Sequence, residues 1–134
     1  MKKLLMVLVF LSGCATFNDA MDAYLMKYDT NEYKLITEVR TKAGSAKNNC
    51  ADSIESKRLA KELLYTSTFL MHYAEHLPHN KPIQHATVEL NDMVKGLSDK
   101  YDSGIVSPVF CKIKFTSIEE SANRMQQSEG KKPR

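Results

Sequence analysis

Residues 81–101 read KPIQHATVELNDMVKGLSDKY, and this stretch carries the clearest structural signal in the chain. Its mostly apolar positions follow one another at alternating steps of four and three residues, in the order Ile83, Thr87, Leu90, Val94, Leu97 and Tyr101. Such spacing places them all on one face of an α-helix, as in the seam of a helical bundle. Pro82 suits the first turn, and Gly104 can adopt the positive φ of a helix end. We therefore expect an amphipathic helix that begins at Asn80 or Lys81.

The residues that follow predict a further helix. Ser107 supplies an N-terminal cap and Pro108 a first-turn proline. Apolar side chains then recur on one face, at Cys111, Phe115, Ile118, Ala122 and Met125. The alternative is a short strand with the alternating apolar residues Val109, Cys111, Ile113 and Phe115. No second strand is evident to pair with it, so we favour the helix.

Two helices are predicted before this stretch. The nearer one begins near Asp52 and runs to Leu77, where Pro78 stops it. Its expected core face consists of Leu59, Leu63, Leu70, Ala74 and Leu77. The first helix has an apolar face made of Phe17, Met21, Tyr24, Tyr28, Leu35, Val39, Ala43 and Ala46. The polar residues 29–31 either split or kink this helix, which ends near residues 47–49.

The start of the chain has the organisation of an export signal. Two lysines precede an apolar run over residues 4–11, and the small residues Ser12 and Gly13 follow. A helix needs roughly 20 apolar residues to cross a bilayer, and this run is much shorter. We therefore expect residues 1–13 to be removed as a signal peptide rather than kept as a membrane-spanning helix.

The sequence Leu11-Ser12-Gly13-Cys14 resembles the lipobox of bacterial lipoprotein precursors. The resemblance implies that the Cys14 thiol receives a diacylglyceryl group and becomes the N-terminus of the mature protein. Two or three acyl chains, palmitate among them, hold a protein stably on a membrane. Ala15 stands where some lipoproteins carry an inner-membrane retention Asp, which implies the periplasmic face of the outer membrane. The alternative is an ordinary cleaved signal with a chance cysteine at its end.

Cys50 and Cys111 remain as a pair once Cys14 is lipidated. Export to an oxidising compartment favours a disulfide between them, and the alternative is two unrelated buried thiols. In an up-down-up-down bundle with short connections, both cysteines lie at the same end. The bond would close a loop of about 60 residues and add roughly 4 kcal/mol of stability. We therefore expect an all-α, antiparallel bundle of about four helices, clipped by one disulfide.

Composition limits the size and the partners of the mature chain. Removal of residues 1–13 leaves 121 of the 134 residues, enough for one domain with a modest core. The signal takes two of the 19 basic residues, so 17 face 16 acidic ones and the net charge falls from +3 to +1. A nucleic-acid partner is not expected, because the sequence has no concentrated basic face. We expect a helical domain over residues 14–128 and a polar, basic, solvated tail over residues 129–134, which could also touch anionic lipid headgroups.

One segment has the appearance of a catalytic motif. The sequence HYAEH, residues 72–76, fits the H-x-x-E-H arrangement of inverted zinc peptidases. There, two histidines bind zinc while the glutamate activates a water. Such enzymes need a third ligand on a large fold, and no later acidic residue stands in a matching motif, so we expect no enzymatic activity. Non-catalytic zinc or copper binding could use His72, His76, His79 and also His85.

The same two histidines also belong to a stripe on the second helix. Tyr65, Phe69, His72 and His76 lie on one side, opposite the leucine-rich face. A helix that is apolar on two sides is either central in its bundle or presents one side to a partner. We favour the core interpretation, and the alternative is a partner surface made by these four residues.

Together these features predict a non-enzymatic, lipid-anchored module that faces the periplasm and has an interaction or structural role in the bacterial cell envelope. Its expected partners are the membrane and an envelope protein. Small lipoproteins that the signal resembles occur in bacterial and phage genomes, and the class includes roles in envelope assembly, lysis and exclusion of infecting phage. The alternative function is a periplasmic metal-binding lipoprotein that holds zinc or copper through His72, His76 and His79.

Overall fold

The computed structural model describes residues 20–22 and 24–134. Its four long helices are α1 (Thr30–Ala46), α2 (Ser53–Glu75), α3 (Lys81–Ser103) and α4 (Pro108–Gly130). A short 3₁₀ turn, Lys47–Asn49, continues from α1, and residues 20–22, 24 and 25 are also helical. The predicted all-α bundle is confirmed. The strand interpretation of residues 109–115 is wrong, because these residues form the first turns of α4.

Side-chain caps set where α1 and α2 begin. Asp29 accepts a hydrogen bond from the Glu32 amide, so α1 starts at Thr30 and the polar residues 29–31 split the predicted first helix. Asp52 caps α2, as expected. Helix α2 ends at Glu75, two residues before the predicted end at Leu77.

The other two helices begin where the sequence predicts, and α3 ends at the predicted glycine. Lys81 begins α3, with Pro82 in its first turn, and Gly104 follows the helix with a φ of 153°. The Ser107 hydroxyl accepts a hydrogen bond from the Phe110 amide at the start of α4. Among the described helices, none combines the length and apolar content that a bilayer span requires.

The helices form a ring in chain order, with α1 packed against α2 and α4, and α3 packed against the same two neighbours. Every predicted seam residue of α3 is buried, and so is every predicted inner-face residue of α4. The seam of α1 follows the same alternating steps, through Glu32, Ile36, Val39, Ala43 and Ala46. Short connections and this repeated spacing are what an antiparallel four-helix bundle requires.

The core face of α2 differs from the prediction. Its fully or nearly fully buried seam runs Ser56, Ala60, Leu63, Ser67, Leu70 and Ala74, again at steps of four and three. Leu59 and Leu77 are only half-buried at the edges of this face. Small residues at these positions let neighbouring helices approach closely, and a buried hydroxyl can bond within its own helix, as Ser67 does to the Leu64 carbonyl at 3.1 Å.

The predicted disulfide between Cys50 and Cys111 is confirmed. The bond joins the turn after α1 to the first turn of α4, with the two Cα atoms 5.7 Å apart. It lies at the end of the bundle that we call the distal end, together with the α3–α4 connection. The opposite, proximal end combines the start of α1, the α2–α3 connection at residues 76–80 and the end of α4.

Candidate functional site

The four residues of the α2 stripe, Tyr65, Phe69, His72 and His76, all face solvent, and we call them the outer stripe. Tyr65 is 75% exposed and Phe69 is 52% exposed. The core interpretation of these residues is therefore wrong. Its failure follows from the α2 seam, which turns the opposite side of the helix toward α1 and α3.

Polar contacts on both flanks fix this orientation of α2. On the α1 side, Lys42 donates a hydrogen bond to the Thr66 hydroxyl at 2.9 Å. On the α3 side, the Ser67 and Thr68 hydroxyls lie 2.8 Å and 3.0 Å from Asn91 Oδ1. With one flank of α2 bonded to α1 and the other to α3, the side of the helix that faces away from the core is left to solvent. The outer stripe lies on that side.

Charged pairs border the stripe near its N-terminal end. Glu62 lies between Lys42 and Arg58, with N to O distances of 3.1 Å and 3.0 Å. The hydrogen bond from Lys42 and the nearby Arg58 hold the pKa of Glu62 below its ordinary value. Exposed aromatic rings beside satisfied polar groups resemble the composition of protein interfaces, where aromatic residues are enriched within a polar rim.

The histidines predicted to bind metal do not form a group of three ligands among the described residues. His72 Nδ1 lies 3.3 Å from Glu75 Oε2 on its own helix, and His79 Nδ1 lies 3.0 Å from Asp22 Oδ1. His72 and His85 line one open groove of about 330 Å³ between α2 and α3. In residues 20–22 and 24–134, no group of three His, Cys, Asp or Glu side chains is placed to hold a metal ion. The described part of the chain therefore gives no support to a site made by His72, His76 and His79.

A buried polar cluster at the proximal end was not predicted. Glu32 of α1 and Glu129 of α4 are fully buried, and Lys132 and Asn80 are nearly so. Lys132 Nζ lies 3.0 Å from Glu32 Oε2 and donates to Asn80 Oδ1 at 2.9 Å, and it also pairs with Glu129. Asn80 Nδ2 donates to Glu32 Oε1 at 2.6 Å. The Asp29 amide donates to Glu129 Oε1 at 2.9 Å, which ties the start of α1 to the end of α4.

The cluster holds two carboxylates and one ammonium, so full ionisation would bury an excess negative charge. Burial, with a smaller effect from a hydrogen bond with Glu129, raises the pKa of Glu32 to about 7, although the hydrogen bonds from Asn80 and Lys132 act in the opposite direction. Protonation of Glu32 removes this excess charge. The cluster is therefore close to neutral when Glu32 is protonated.

The expected solvated tail over residues 129–134 is wrong. Helix α4 continues to Gly130, and Glu129 and Lys132 are buried in the cluster just described. The Pro133 carbonyl accepts a hydrogen bond from the Tyr28 amide at 2.9 Å, and the Arg134 guanidinium lies 5.0 Å from the centre of the Tyr28 ring. Polar composition alone suggested a tail, but each of these groups has a partner in the fold.

The sequence did contain a signal for this cluster. Glu32 stands four residues before Ile36, and Glu129 stands four residues after Met125, so both carboxylates continue the core register of their helices. A charged residue in a core register is expected only when it is paired. Their cation, Lys132, lies beyond residue 128, where the domain was predicted to end, so the pairing was not predicted.

A pocket of about 460 Å³ also opens at the proximal end. Its mainly apolar wall is formed by Leu25, Tyr28, Leu77 and Pro78, and Lys27 and His79 lie at its polar part. His79 has a φ of 53°, the left-handed region that few non-glycine residues adopt. Asn80, also in the lining, joins the pocket to the buried cluster.

The remaining predicted site residue, Cys14, lies outside the described residues. Comparison of the chain with known protein families, with curated proteins and with solved structures finds no match.

Proposed function

We propose that the chain is a lipid-anchored, periplasm-facing interaction module of the bacterial cell envelope, and that the outer stripe is where its protein partner docks. The observation that carries this proposal is the exposure of Tyr65 and Phe69 on a helix whose opposite side completes the core without them. Burying either ring against a partner would stabilise a complex by roughly 2 kcal/mol. Aromatic residues of this kind are enriched among those that dominate binding energy.

The proposed anchor at Cys14 would keep the outer stripe near the membrane. Six residues of chain lead from Cys14 to Ala20, and an extended chain of that length spans at most about 20 Å. The anchored domain therefore stays close to the membrane, which raises its effective concentration toward other envelope proteins. The disulfide between Cys50 and Cys111 fits this location, because such bonds persist outside the cytoplasm.

A cross-linking experiment tests the docking surface. The full chain is produced in its native host with a photoreactive phenylalanine analogue at position 69, and a matched chain carries the analogue at Glu120, which is exposed on α4. We expect an envelope protein to be captured from position 69 and not from position 120. Addition of Tyr65→Ala should abolish that capture, because the substitution removes half of the aromatic pair. Equal capture from both positions, or capture that survives Tyr65→Ala, would contradict the docking proposal.

The anchor has a separate test in the intact mass of the protein purified from membranes. We expect acyl mass on Cys14 and loss of residues 1–13, and we expect the Cys14→Ser precursor to carry neither change. A mature protein that starts at another residue or lacks acyl mass would overturn the anchor proposal, whatever the cross-linking shows.

A further inference from the structure

We propose that the proximal end of the bundle is a second binding surface, which docks on anionic phospholipid headgroups of the bilayer that holds the anchor. This inference rests on the proposed function, because the Cys14 lipid would bring this end to the membrane first. Residues 20–22, 24 and 25 lead directly into it. The surface is defined here by Met21, Tyr24 and Leu25, by the rim of the adjoining pocket, and by the basic side chains around them.

Three large side chains at this end expose much of their apolar surface to solvent. Tyr24 is 82% exposed, and Met21 and Leu25 are 42% and 40% exposed. Leu25 also forms part of the pocket wall, next to Tyr28 and the exposed Pro78. Tyrosine is suited to the headgroup region of a membrane, because its ring is apolar and its hydroxyl is polar.

The charge of this end complements an anionic surface. Lys27, Lys81, Lys131 and Arg134 are all exposed here. Lys27 lines the pocket, Lys81 Nζ lies 3.8 Å from Asp22, and the Arg134 guanidinium lies over the Tyr28 ring, so these three cations lie close to the apolar residues of this end. Exposed basic groups near an anionic membrane each contribute to binding.

Most acidic groups at the same end are already engaged, although Glu75 at the end of α2 is exposed, with its Oε2 atom 3.3 Å from His72 Nδ1. Asp22 is paired with His79 and Lys81, and it is mostly covered. Asp29 caps α1 and accepts a hydrogen bond from the Tyr73 hydroxyl at 3.0 Å. Glu32 and Glu129 point into the buried cluster. The exposed charge of the described proximal surface is therefore mainly positive.

The buried cluster gives this surface its rigidity. Lys132 holds the chain that carries Lys131 and Arg134 against α1, and Asn80 holds the α2–α3 connection that leads to Lys81. Basic side chains from two separate parts of the chain are thus held at the same end of the bundle. A preorganised arrangement loses less conformational entropy on binding than a flexible tail would.

Vesicle binding by the chain from residue 15 onward tests this inference without any lipid anchor. This chain retains every residue that the structure describes. It is mixed at low salt with vesicles of phosphatidylethanolamine alone, or of phosphatidylethanolamine and phosphatidylglycerol in equal amounts, and the bound fraction is measured by sedimentation. We expect binding to the mixed vesicles, little binding to the neutral ones, and a decrease in binding as salt is raised.

Two pairs of matched variants locate the surface. K27Q/K81Q should weaken binding by about 30-fold, since each basic residue near an anionic surface contributes roughly fivefold. K112Q/K114Q removes the same charge from exposed positions of α4 near the distal end and should leave binding unchanged. Y24S/L25S should weaken binding on the order of tenfold, whereas I105S/V109S, at exposed distal positions, should not. Circular dichroism confirms that each variant is folded.

Equal binding to neutral and anionic vesicles, or equal losses from proximal and distal variants, would overturn the inference. Its failure is distinguishable from failure of the proposed function, because the vesicle assay uses no acylated protein and no envelope partner. An acylated Cys14 with no vesicle binding by the unanchored chain would reject only the proximal surface. Specific vesicle binding with no acyl mass on Cys14 would reject only the anchor.

Discussion

The Lys132 ammonium lies 3.0 Å from a carboxylate oxygen of Glu32, although one hundred residues of sequence separate the two. Both side chains are almost completely buried, and the pair joins the end of the chain described here to the first turn of α1. A buried ion pair stabilises a fold only while both partners are present, because removing one leaves a desolvated charge. The pair therefore makes the last few residues part of the fold.

Substitution of Lys132 tests this conclusion. Lys132→Met should lower the free energy of unfolding by about 3 kcal/mol, because Glu32 and Glu129 would lose their only cation in the described cluster. The exposed neighbour provides the control, since Lys131→Met removes the same charge and should change stability by less than about 0.5 kcal/mol. Urea unfolding followed by circular dichroism gives both values. A similar small effect for the two variants would mean that the cluster does not contribute to stability.

Stability should also depend on pH through Glu32. Its pKa in the folded protein is raised to about 7, so the folded state binds a proton more tightly than the unfolded chain does. The stabilising contribution is complete below the ordinary pKa of glutamate and is lost as pH rises through about 7. We expect the free energy of unfolding to fall by about 2 kcal/mol between pH 5 and pH 8.

The variant that isolates this dependence is Glu32→Gln. It keeps the shape of the side chain and cannot titrate, so the decrease between pH 5 and pH 8 should largely disappear. Glu120→Gln, at an exposed position of α4, should keep the decrease of the unsubstituted protein. An equal pH dependence in the unsubstituted protein and in Glu32→Gln would contradict the raised pKa of Glu32.

Much of the fold could be predicted because the seams of α3 and α4 are made of large apolar residues at regular steps. The seam of α2 follows the same steps, but Ser56, Ala60 and Ser67 carry little apolar surface, so the flanking Leu59 and Leu77 gave the stronger signal. The core face of α2 was therefore predicted incorrectly because its buried residues are small. A buried small residue allows close helix packing, which a reading of hydrophobicity alone does not detect.

Local patterns could indicate the two buried carboxylates, but they could not predict the complete cluster. Glu32 and Glu129 extend the seams of α1 and α4, yet what makes their burial tolerable is Lys132, together with Asn80 from the α2–α3 connection. Those partners meet only after the bundle has closed. The exposure of the outer stripe could not be predicted either, because its aromatic residues are also compatible with a core. Only the packing of α2 against α1 and α3 shows that they face solvent.

The disulfide should account for a large share of stability. It joins residues 61 apart in sequence, and closing a loop of that length in the unfolded chain corresponds to about 4 kcal/mol. Cys50→Ser combined with Cys111→Ser should therefore lower the free energy of unfolding by several kcal/mol, as should dithiothreitol acting on the unsubstituted protein. Urea unfolding with and without dithiothreitol checks both. A reductant that lowers stability equally in the doubly substituted chain would show that its effect does not come from this bond.

The orientation of α2 can be tested with two residues of one helical turn. Leu63 is completely buried in the seam, whereas Tyr65 belongs to the outer stripe and is 75% exposed. Leu63→Ala should lower the free energy of unfolding by about 3 kcal/mol, because it removes apolar contacts and leaves a cavity. Tyr65→Ala should change stability by less than about 0.5 kcal/mol in the isolated domain, because its ring contributes nothing to the core.

The order of the two losses in unfolding free energy discriminates between orientations of α2, since a helix turned to place the stripe inside would make Tyr65→Ala the more damaging substitution. With the order as expected, a Tyr65→Ala protein that is stable but no longer captures its partner assigns the loss to binding rather than to unfolding.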